Sequence, residues 1–479
     1  MSLAGELGAV YAAAGGDPEA AQRLTVSGPT DVLPSIFRVT DAAVISIGAA
    51  LLAAGELWAT RTGQPPPAVA IDPVHAAAAF ASSAYLRIDD DPLANPWDPL
   101  AGHYPAARGR WIQLHTNFVH HRAAALAALR LPAGTTERAV VAAAIAERDP
   151  FALETDIIDR GGVAYAMRTA AEWRASPPAR AVATLPVVEL EQVGAAPAAA
   201  AVPGDDLPPS PQLAAAGLRV LDLTRVIAGP VASRTLAALG ADVLRIGAPH
   251  LPVIDSVVPD TCLGKRWANL DLRTEADRER FRTLACDADV VIRGYRPGAL
   301  EGLGLGVDDL VGLNPDMVIV TLSAFGRKGP WAGRRGYDSL VQTASGIVAT
   351  GTQMARDSKP RPLPVQALDY ATGYFGAMLA LRGLVERQRQ GGAWHGQLSL
   401  ARTGRWIEDL GPDPDGAPDA FLRPGPPRAL DHPSIAPLMR SSHSAYGATT
   451  FLAHPGTIDG RHLEWQLPSA APSDDPAWL

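Results

Sequence analysis

The most reactive candidate in the sequence is Asp369, which lies between an apolar run at 363–368 and a segment rich in small residues. Thr372, Gly373 and Gly376 follow it within about two helical turns. The pattern predicts that Asp369 lies at or near a helix N-terminus, with room beside the small residues for a bulky ligand. Unpaired backbone N–H groups there are expected to keep the carboxylate ionised and to donate to a developing oxyanion. A nucleophilic carboxylate is one interpretation of this segment.

The simpler interpretation is that Asp369 caps a helix, because Asp is among the preferred N-cap residues. Taken alone, the segment favours this structural role. The case for catalysis therefore depends on the rest of the chain.

The overall composition is that of a folded, soluble protein of more than one domain. A chain of 479 residues exceeds what one hydrophobic core usually supports, so two or three domains are expected. Hydrophobic residues make up 47% and charged residues 19%. The 42 basic and 50 acidic residues give a net charge of −8 without a dense basic run, so no nucleic-acid partner is expected.

Cysteine usage and the N-terminal sequence bear on compartment. Cys262 and Cys286 are the two cysteines, which form no disulfide framework and no metal-binding pattern. The first residues lack a signal-peptide pattern, and the apolar run 42–54 is shorter than a membrane span. The expectation is a cytoplasmic protein without a bound metal or membrane contact.

Composition and periodicity predict four segments: an α+β block at 1–194, an Ala/Pro-rich linker at 195–211, an α/β domain at 212–408, and a Pro/Gly-rich extended wrap at 409–479. In the third segment, apolar strands alternate with short helices. This pattern predicts a Rossmann-like parallel sheet with helices on both faces and a ligand at the carboxyl ends of its strands. The fold class is therefore α/β, with a smaller α+β domain placed N-terminal to the sheet domain.

Individual elements are predicted from the same patterns. In the first segment they are a helix at 41–60, a strand at 69–71, a helix at 165–173 and a strand at 181–190. In the third they are strands at 218–224, 243–246, 269–272, 290–292 and 318–322, with helices at 231–239 and 275–284.

An internal repeat relates the Asp369 segment to an earlier one. Aligning Asp41 with Asp369 without gaps also pairs glycines at 48 and 376, 55 and 383, and 63 and 391. Matching glycines at one helical phase exceed what Ala-rich composition alone usually produces, so a duplicated segment is favoured. Asp41 lacks the upstream sheet and loops and is interpreted as a structural relic.

Several loops after strands carry residues suited to a phosphorylated ligand. The 220–230 stretch runs from a strand through a tight turn into a helix start, although it lacks the G-x-G-x-x-G fingerprint of NAD sites. Tyr295 and Arg296 end another strand and could stack on a base and hold a phosphate. Arg334 and Arg335 add a positive patch to an acidic protein. The histidines at 103, 115, 120 and 121 fit surface or loop positions better than a zinc site.

In this order, these segments resemble the class III CoA-transferases, the family of formyl-CoA transferase and carnitine CoA-transferase. The likeness extends from Leu218 to about Arg389 and rests on an ordered set of motifs, which are 218–230, 241–246, 265–273, 288–298, 314–315, 323–330, 336–338 and the Asp369 helix. The sequence departs from the family at three positions: Arg296 stands where some relatives have glycine, and Gly302 and Ala248 stand where formyl-CoA transferase has arginine. Some phosphate contacts must therefore differ.

The resemblance implies a function for several residues. Asp369 matches the family's nucleophile, which forms a mixed anhydride with an acyl group and then an aspartyl-CoA thioester that a carboxylate acceptor resolves. Coenzyme A, entering as acyl-CoA, would lie along nine residues: Val226, Ile227, Ala228, Leu270, Arg273, Tyr295, Arg296, Arg335 and Tyr337. The expected partners are small acyl-CoA and carboxylate substrates.

The first segment resembles a later part of the same family, namely the region after the nucleophile and the small domain. The chain therefore has the arrangement of a fused, partly duplicated protein. Family members form interlocked dimers, so a homodimer is expected, with a monomeric fused pseudo-dimer as the alternative.

Two other functions stay open. An α-methylacyl-CoA racemase shares the fold and uses a His and an Asp as paired bases, but Tyr337 occupies the place of that His in the Gly-His-Asp motif. A non-catalytic CoA-binding relic is the other alternative, because the fold alone does not fix function.

Overall fold

The computed structural model describes residues 2–195, 197, 208–412, 418–468 and 471–479. Most of the predicted linker, residues 196 and 198–207, lies outside these ranges, as do residues 413–417, 469 and 470 of the predicted C-terminal wrap. The division into four segments stays a prediction.

The α-helices of the described residues are α1 Leu3–Ala13, α2 Val39–Thr62, α3 Pro73–Ala79, α4 Val119–Ala128, α5 Arg138–Ala146, α6 Pro150–Asp159, α7 Ala170–Ala175, α8 Pro177–Ala183, α9 Ala228–Ala238, α10 Val258–Thr261, α11 Glu275–Cys286, α12 Val307–Leu313, α13 Asp338–Ser345, α14 Ile347–Met354, α15 Ala367–Gln390 and α16 Leu400–Asp409.

The strands are β1 Leu24–Val26, β2 Val69–Ile71, β3 Arg87–Ile88, β4 Asp91–Pro92, β5 Gly102–Ala106, β6 Arg110–Leu114, β7 Ala164–Ala166, β8 Glu189–Gln192, β9 Arg219–Leu223, β10 Asp242–Gly247, β11 Arg266–Asn269, β12 Val290–Arg293, β13 Val318–Ser323, β14 Trp394–Ser399, β15 Met439–Ser444, β16 Gly447–Leu452, β17 Thr457–Ile458 and β18 Arg461–His462.

A seven-stranded sheet has the order β11-β10-β9-β12-β13-β14-β8. The first six strands are parallel, and β8 pairs antiparallel with β14 at one edge. Numbered along the chain, the parallel strands run 3-2-1-4-5-6, so the direction of winding reverses between β9 and β12. Open parallel sheets bind ligands beyond the carboxyl ends of their strands at such a reversal. The α/β fold class is confirmed.

Helix α15 carries Asp369 in its first turn and packs closely against α9. A Cβ added at Gly373 would lie 2.6 Å from the carbonyl oxygen of Ala228 and 2.7 Å from Cβ of Val231. A Cβ at Gly376 would lie 3.1 Å from Cβ of Ala232. The prediction that these glycines leave room for a ligand is therefore wrong, because the backbone of α9 occupies that space.

We expect Gly373→Ala to lower the free energy of unfolding by about 1–3 kcal/mol, because the added methyl group overpacks the contact between α15 and α9. Urea denaturation followed by circular dichroism measures this change. Gly312→Ala on α12 is the control, since a Cβ there meets nothing within 4 Å, and it should be neutral or stabilising by up to about 1 kcal/mol. Equal effects of the two substitutions would contradict the prediction.

The repeat is visible in the helices themselves. Helices α2 and α15 each have 24 residues, begin 328 positions apart and pack against each other. The residues preceding them have nearly the same backbone angles, φ −73° and ψ 58° against φ −77° and ψ 63°, and a glycine follows each helix. Along the sequence, a pair of parallel strands flanks each helix: β1 and β2 flank α2, and β13 and β14 flank α15. These matches agree with the predicted duplication.

Helix α2 is also long and apolar enough to cross a membrane, by length and composition alone. However, 83% of its most apolar 18-residue window is buried inside the protein. Its apolar character is accounted for by packing, because one hydrophobic core includes side chains of both α2 and α15.

The remaining sheets join distant parts of the chain. Strands β5, β6 and β7 form an antiparallel sheet that shares a separate core with α4, α5 and α6. The hairpin β15–β16 pairs with β3, and β17 pairs with β2, so the C-terminal segment packs on the first segment. The extended wrap predicted for the C-terminal segment therefore contains regular strands.

Three predicted elements are wrong. The predicted helix at 165–173 is β7 followed by α7, because Thr169 and Glu172 form a capping box that starts the helix at residue 170. The predicted strand at 181–190 is the end of α8 followed by β8, since Ser176 caps a helix that begins with Pro177. The strand predicted at 269–272 lies three residues earlier, at 266–269.

Candidate functional site

The predicted CoA-binding residues near the strand reversal come from two turns. Val226, Ile227 and Ala228 follow β9, while Tyr295 and Arg296 follow β12. These strands are adjacent and parallel, so both turns lie at the same edge of the sheet. The turn after β9 leads directly into α9, whose N-terminal N–H groups therefore face that edge.

A buried ion pair fixes the turn after β9. Asp222, fully buried in β9, accepts from the backbone N–H of Thr224 at 3.0 Å and from the Ser233 hydroxyl at 2.6 Å. The Lys265 ammonium donates to Asp222 at 2.9 Å and to the Pro230 carbonyl at 3.0 Å, and its side chain is also fully buried. Although burial opposes ionisation, Lys265 and the hydroxyl donors hold the pKa of Asp222 below its usual range.

Val226 has a backbone φ of +70°, which is unusual for a β-branched residue and costs about 1–3 kcal/mol in isolation. The anchored Asp222 network on one side and α9 on the other hold this conformation. It places Val226 on the wall of two cavities that meet near α15.

The first of these cavities, of about 380 Å³, is hereafter the basic cleft. It is lined by Arg225, Val226, Tyr295, Arg296, Arg335 and Tyr337, and Asp369 reaches its wall. Within the described part of the chain, Arg225, Arg296 and Arg335 form no ion pair with a carboxylate. The Arg225 guanidinium donates to the Pro252 carbonyl at 3.0 Å and that of Arg335 to the Gly161 carbonyl at 3.1 Å.

Burial lowers the pKa of Arg335 from its usual value, and the nearby positive charge of Arg296 lowers it further. A polyanionic ligand would relieve this repulsion, and planar guanidinium groups suit phosphate oxygens. The predicted positive patch is therefore present in the structure, although Arg334, one of its members, is paired with Glu154 at 3.2 Å.

Leu270 and Arg273 line an adjoining cavity of about 150 Å³ that shares Tyr295 with the basic cleft. Leu270 is buried and Arg273 is exposed, its guanidinium paired with Asp271 at 2.7 Å. The structure thus brings all nine predicted CoA-contacting residues to two connected cavities, while their contacts with CoA stay predictions.

Asp369 lies between the basic cleft and a second cavity of about 180 Å³, hereafter the apolar pocket. The apolar pocket is lined on its hydrophobic side by Phe80, Ile227, Ile254, Val257, Val365 and Tyr370. The Asp369 residue is 7% exposed and borders both cavities. A ligand that fills both would therefore pass its reacting atoms beside this carboxylate.

Asp369 is the third residue of α15 and does not cap it. The residue that precedes the helix, Gln366, is at the N-cap, and its side chain makes no capping hydrogen bond. The cap comes from α13 instead, where Asp338 accepts from the backbone N–H of Asp369 at 2.9 Å. Gln342 donates to Asp338 and accepts from the backbone N–H of Leu363 at 2.8 Å. The simple N-cap interpretation of Asp369 is wrong.

Burial and the adjacent Asp338 carboxylate both raise the pKa of Asp369 well above its ordinary value. Burial likewise raises the pKa of Asp338, against the effect of its N–H and amide donors. The expectation that the helix N-terminus keeps Asp369 ionised is therefore wrong, because desolvation and a like charge outweigh the helix dipole. The two acids titrate as a pair.

We expect Asp338→Asn to move the acidic limb of the pH dependence of kcat/KM to lower pH. Removing the neighbouring negative charge lowers the pKa of Asp369, so its ionised form persists at lower pH. The asparagine oxygen can still accept from one N–H group. Initial rates of CoA transfer between pH 5 and 9 measure the shift, and an unmoved or alkaline-shifted limb would refute this coupling.

Three histidines of the first segment lie beside this site. The His115 ring stacks on the Tyr337 ring with centroids 3.9 Å apart and an interplanar angle of 7°. His115 borders the apolar pocket, and His120 and His121 border the basic cleft. Burial lowers the pKa of His115 to about 4, so its ring is neutral at pH 7. The assignment to a surface or loop position is wrong for His121, which is buried in α4, whereas His115 lies in the loop after β6 but is also buried.

Sequence patterns alone did not identify several residues of the site. Asp338 was visible only as part of a motif, and its role as a cap depends on the packing of α13 against α15. The positions of His115 and His121 depend on how the β5–β7 sheet packs across the strand ends. No local sequence pattern predicts the contact between His115 and Tyr337 of the Gly-Tyr-Asp motif, since more than 200 residues separate them.

The site lies in a segment with a known family. Residues 215–409 match the sequence model for CoA-transferase family III. This range contains β9–β14, both turns that border the basic cleft, and α15 with Asp369. Over residues 215–409 the predicted resemblance to this family is therefore confirmed.

Curated relatives match the same part of the chain. The probable fatty acyl-CoA transferase Rv3272 of Mycobacterium tuberculosis is 37% identical over 188 residues, covering 36% of this chain and 47% of that protein. The acetyl-coenzyme A transferase nodX of Hypoxylon pulicicidum is 35% identical over 207 residues, covering 42% and 34%. The succinate–glutarate CoA-transferase of Agrobacterium fabrum is 32% identical over 203 residues, covering 38% and 50%.

A crystal structure of Rv3272 has 36% sequence identity and a TM-score of 0.38, covering 41% of this chain and 56% of that one. The chain spans half or less of the length of the three curated relatives.

Proposed function

We propose that this protein is a CoA-transferase that moves CoA from an acyl-CoA to a carboxylic acid through covalent intermediates on Asp369. The observation that carries the proposal is the position of Asp369 between the basic cleft and the apolar pocket. The cleft suits the phosphates of CoA, while the pocket suits an acyl group. The 3-2-1-4-5-6 order of the parallel strands supports the Rossmann-like assignment of the domain that holds them.

The proposed reaction balances in two halves. An oxygen of ionised Asp369 attacks the thioester carbonyl carbon, the C–S bond breaks, and CoA thiolate leaves. The thiolate then attacks the aspartyl carbonyl of the mixed anhydride, which releases the first carboxylate and leaves an aspartyl-CoA thioester. The acceptor carboxylate repeats these two steps in reverse, so the products are a new acyl-CoA and free Asp369.

The raised pKa of Asp369 fits this chemistry. A desolvated carboxylate is a stronger nucleophile than a hydrated one. Its raised pKa is also closer to the pKa of the CoA thiol, whose thiolate is the leaving group. The N–H donors at the start of α9 face the same edge of the sheet, where they could stabilise a tetrahedral oxyanion.

Trapping of the intermediates tests the proposal. The protein would be incubated with acetyl-, butyryl- and succinyl-CoA in the presence of hydroxylamine, and intact and peptide masses would locate the hydroxamate. We expect modification at Asp369. Asp41→Asn is the matched control, because Asp41 has the same position in the repeat helix but is paired with Arg38 at 2.6 Å. Modification that persists in Asp369→Asn would reject the assignment, and no modification with any donor would favour a non-catalytic CoA-binding protein.

One observation keeps the racemase alternative testable. His115 borders the apolar pocket together with Asp369, so a second base could face a substrate α-carbon although residue 337 is tyrosine. Deuterium incorporation at the α-carbon of 2-methylacyl-CoA in D₂O, without CoA transfer to any acid, would favour racemisation.

We also propose that the chain reproduces within itself the helix contact of an interlocked dimer. The packing of α2 on α15, two helices of the same length and register, supports the fused pseudo-dimer over the homodimer. Light scattering after size-exclusion chromatography tests it, and a mass of twice the chain would favour the homodimer.

A further inference from the structure

Parts of the chain outside the family III segment complete the wall of the apolar pocket. Phe80 follows α3, His115 and Asn117 follow β6, and Arg428 comes from the C-terminal segment. All of these lie outside residues 215–409. The specificity of the pocket is therefore a property of this chain and is not set by the matched segment alone.

The pocket is lined by charges of both signs. Asp369 and its partner Asp338 are the carboxylates that line it, and Arg428 is the cation among the described lining residues. Arg428 is exposed and forms no ion pair within the part of the chain that the structure describes. Its guanidinium carbon lies 5.1 Å from the centroid of the Tyr85 ring. The Tyr85 hydroxyl donates to the Pro427 carbonyl at 3.0 Å, which fixes the backbone beside the arginine.

Two buried polar atoms of the wall have no hydrogen-bond partner among the residues that the structure describes. The Ser339 hydroxyl and Nδ1 of His115 make no hydrogen bond within the described residues, and both residues are more than nine-tenths buried. Unsatisfied buried polar groups are unfavourable, so a ligand with oxygen atoms would be better accommodated than a hydrocarbon. A thioester carbonyl beside Asp369 would supply such an oxygen.

From these features we infer that the apolar pocket takes the acyl part of a short dicarboxylic acid, whose distal carboxylate pairs with Arg428. The cavity is small, about 180 Å³, which suits a short acyl group such as one of four or five carbons. Apolar walls contact the methylene groups, and the guanidinium receives the carboxylate in a bidentate manner. The turnover of such a thioester rests on the proposed function, whereas its binding in the apolar pocket does not.

Matched thioester pairs test the inference. Glutaryl-CoA and pentanoyl-CoA differ only in the distal carboxylate, as do succinyl-CoA and butyryl-CoA. With acetate as acceptor, we expect kcat/KM to favour the dicarboxylic member of each pair by about tenfold or more, as charge-assisted pairing predicts. Arg428→Gln should bring the ratio close to one by lowering kcat/KM for the dicarboxylic thioester, and Arg428→Lys should retain part of the preference.

Arg423→Gln is the control, because it removes one positive charge from the same segment at a residue that pairs with Asp31 at 3.6 Å and does not line the pocket. It should leave the ratio unchanged. A wild-type preference for the monocarboxylic thioesters, or a ratio that Arg428→Gln does not alter, would overturn the inference while leaving the transferase proposal intact.

Equilibrium binding separates the two proposals. Isothermal titration of glutaryl-CoA and pentanoyl-CoA needs no turnover, so it reports on the pocket even if no acid accepts CoA. We expect glutaryl-CoA to bind about tenfold more tightly to the wild type, and this difference to disappear in Arg428→Gln. Equal affinities in the wild type would reject the inference, whether or not transfer occurs.

Discussion

Replacing Asp369 by asparagine is expected to reduce kcat for CoA transfer by on the order of 10⁴-fold or more, because the amide cannot form the anhydride or the thioester. Binding of acyl-CoA should change little, since the arginines of the basic cleft are untouched. Steady-state rates with a donor and an acceptor measure kcat, and fluorescence or calorimetric titration measures affinity. A variant that keeps a tenth of the activity would exclude Asp369 as the nucleophile.

The same variant should be at least as stable as the wild type. The folded-state pKa of Asp369 is raised, so this group binds its proton more tightly in the folded protein than in the unfolded chain. Its ionisation therefore lowers the unfolding free energy as pH rises above the usual range of an aspartate. Asparagine removes that loss, and thermal melts at pH 8 should show a Tm equal to or above that of the wild type.

Asp41→Asn is the control for the kcat prediction. It should not affect kcat, since Arg38 pairs with that residue away from the cleft.

Lys265→Met is expected to lower the free energy of unfolding by about 3–5 kcal/mol, the usual cost of leaving one member of a buried ion pair without its partner. The Lys265 and Asp222 side chains are both fully buried, and only hydroxyl and N–H donors would remain for the carboxylate. Urea denaturation followed by tryptophan fluorescence measures the change. The turn after β9 should loosen as well, which predicts weaker binding of CoA.

A second substitution distinguishes charge from packing. Asp222→Asn in the Lys265→Met background removes the unpaired charge, so the double variant should be more stable than Lys265→Met alone. In the wild type the depressed pKa of Asp222 contributes stability above its unfolded pKa that is lost on acidification. In Lys265→Met this dependence should weaken or reverse. Lys359→Met, at an exposed position, should stay within about 0.5 kcal/mol of the wild type. Equal loss in the single and double variants would refute the charge argument.

The parallel sheet and the position of the site were predictable because both have short-range signals. Apolar runs such as 218–224 and 290–292 recur between helical segments, and turns with Tyr295 and Arg296 follow the strands directly. The carboxyl ends of parallel strands share one edge, so residues in these turns had to meet. Asp369 was identifiable by its place in an ordered set of motifs and not by its own environment.

The ionisation of Asp369 was not predictable, because it depends on Asp338, which lies 31 residues earlier and reaches α15 only through the packing of α13. The same limit applies to His115, whose ring meets Tyr337 across more than 200 residues. The start of α7 and the helical state of α8 were mispredicted, because the caps at Thr169 and Ser176 determine where these two helices begin. Arg428 lies in a segment for which the composition predicted little structure.

The contact between α2 and α15 has a consequence for experiments on dilute protein. In assemblies of separate subunits, mass action makes the melting temperature depend on concentration, and dilution exposes the interface. Here both surfaces belong to one polypeptide, so lowering the protein concentration leaves their effective local concentration unchanged. Assays at nanomolar enzyme should therefore observe the same paired helices that are present at millimolar concentration.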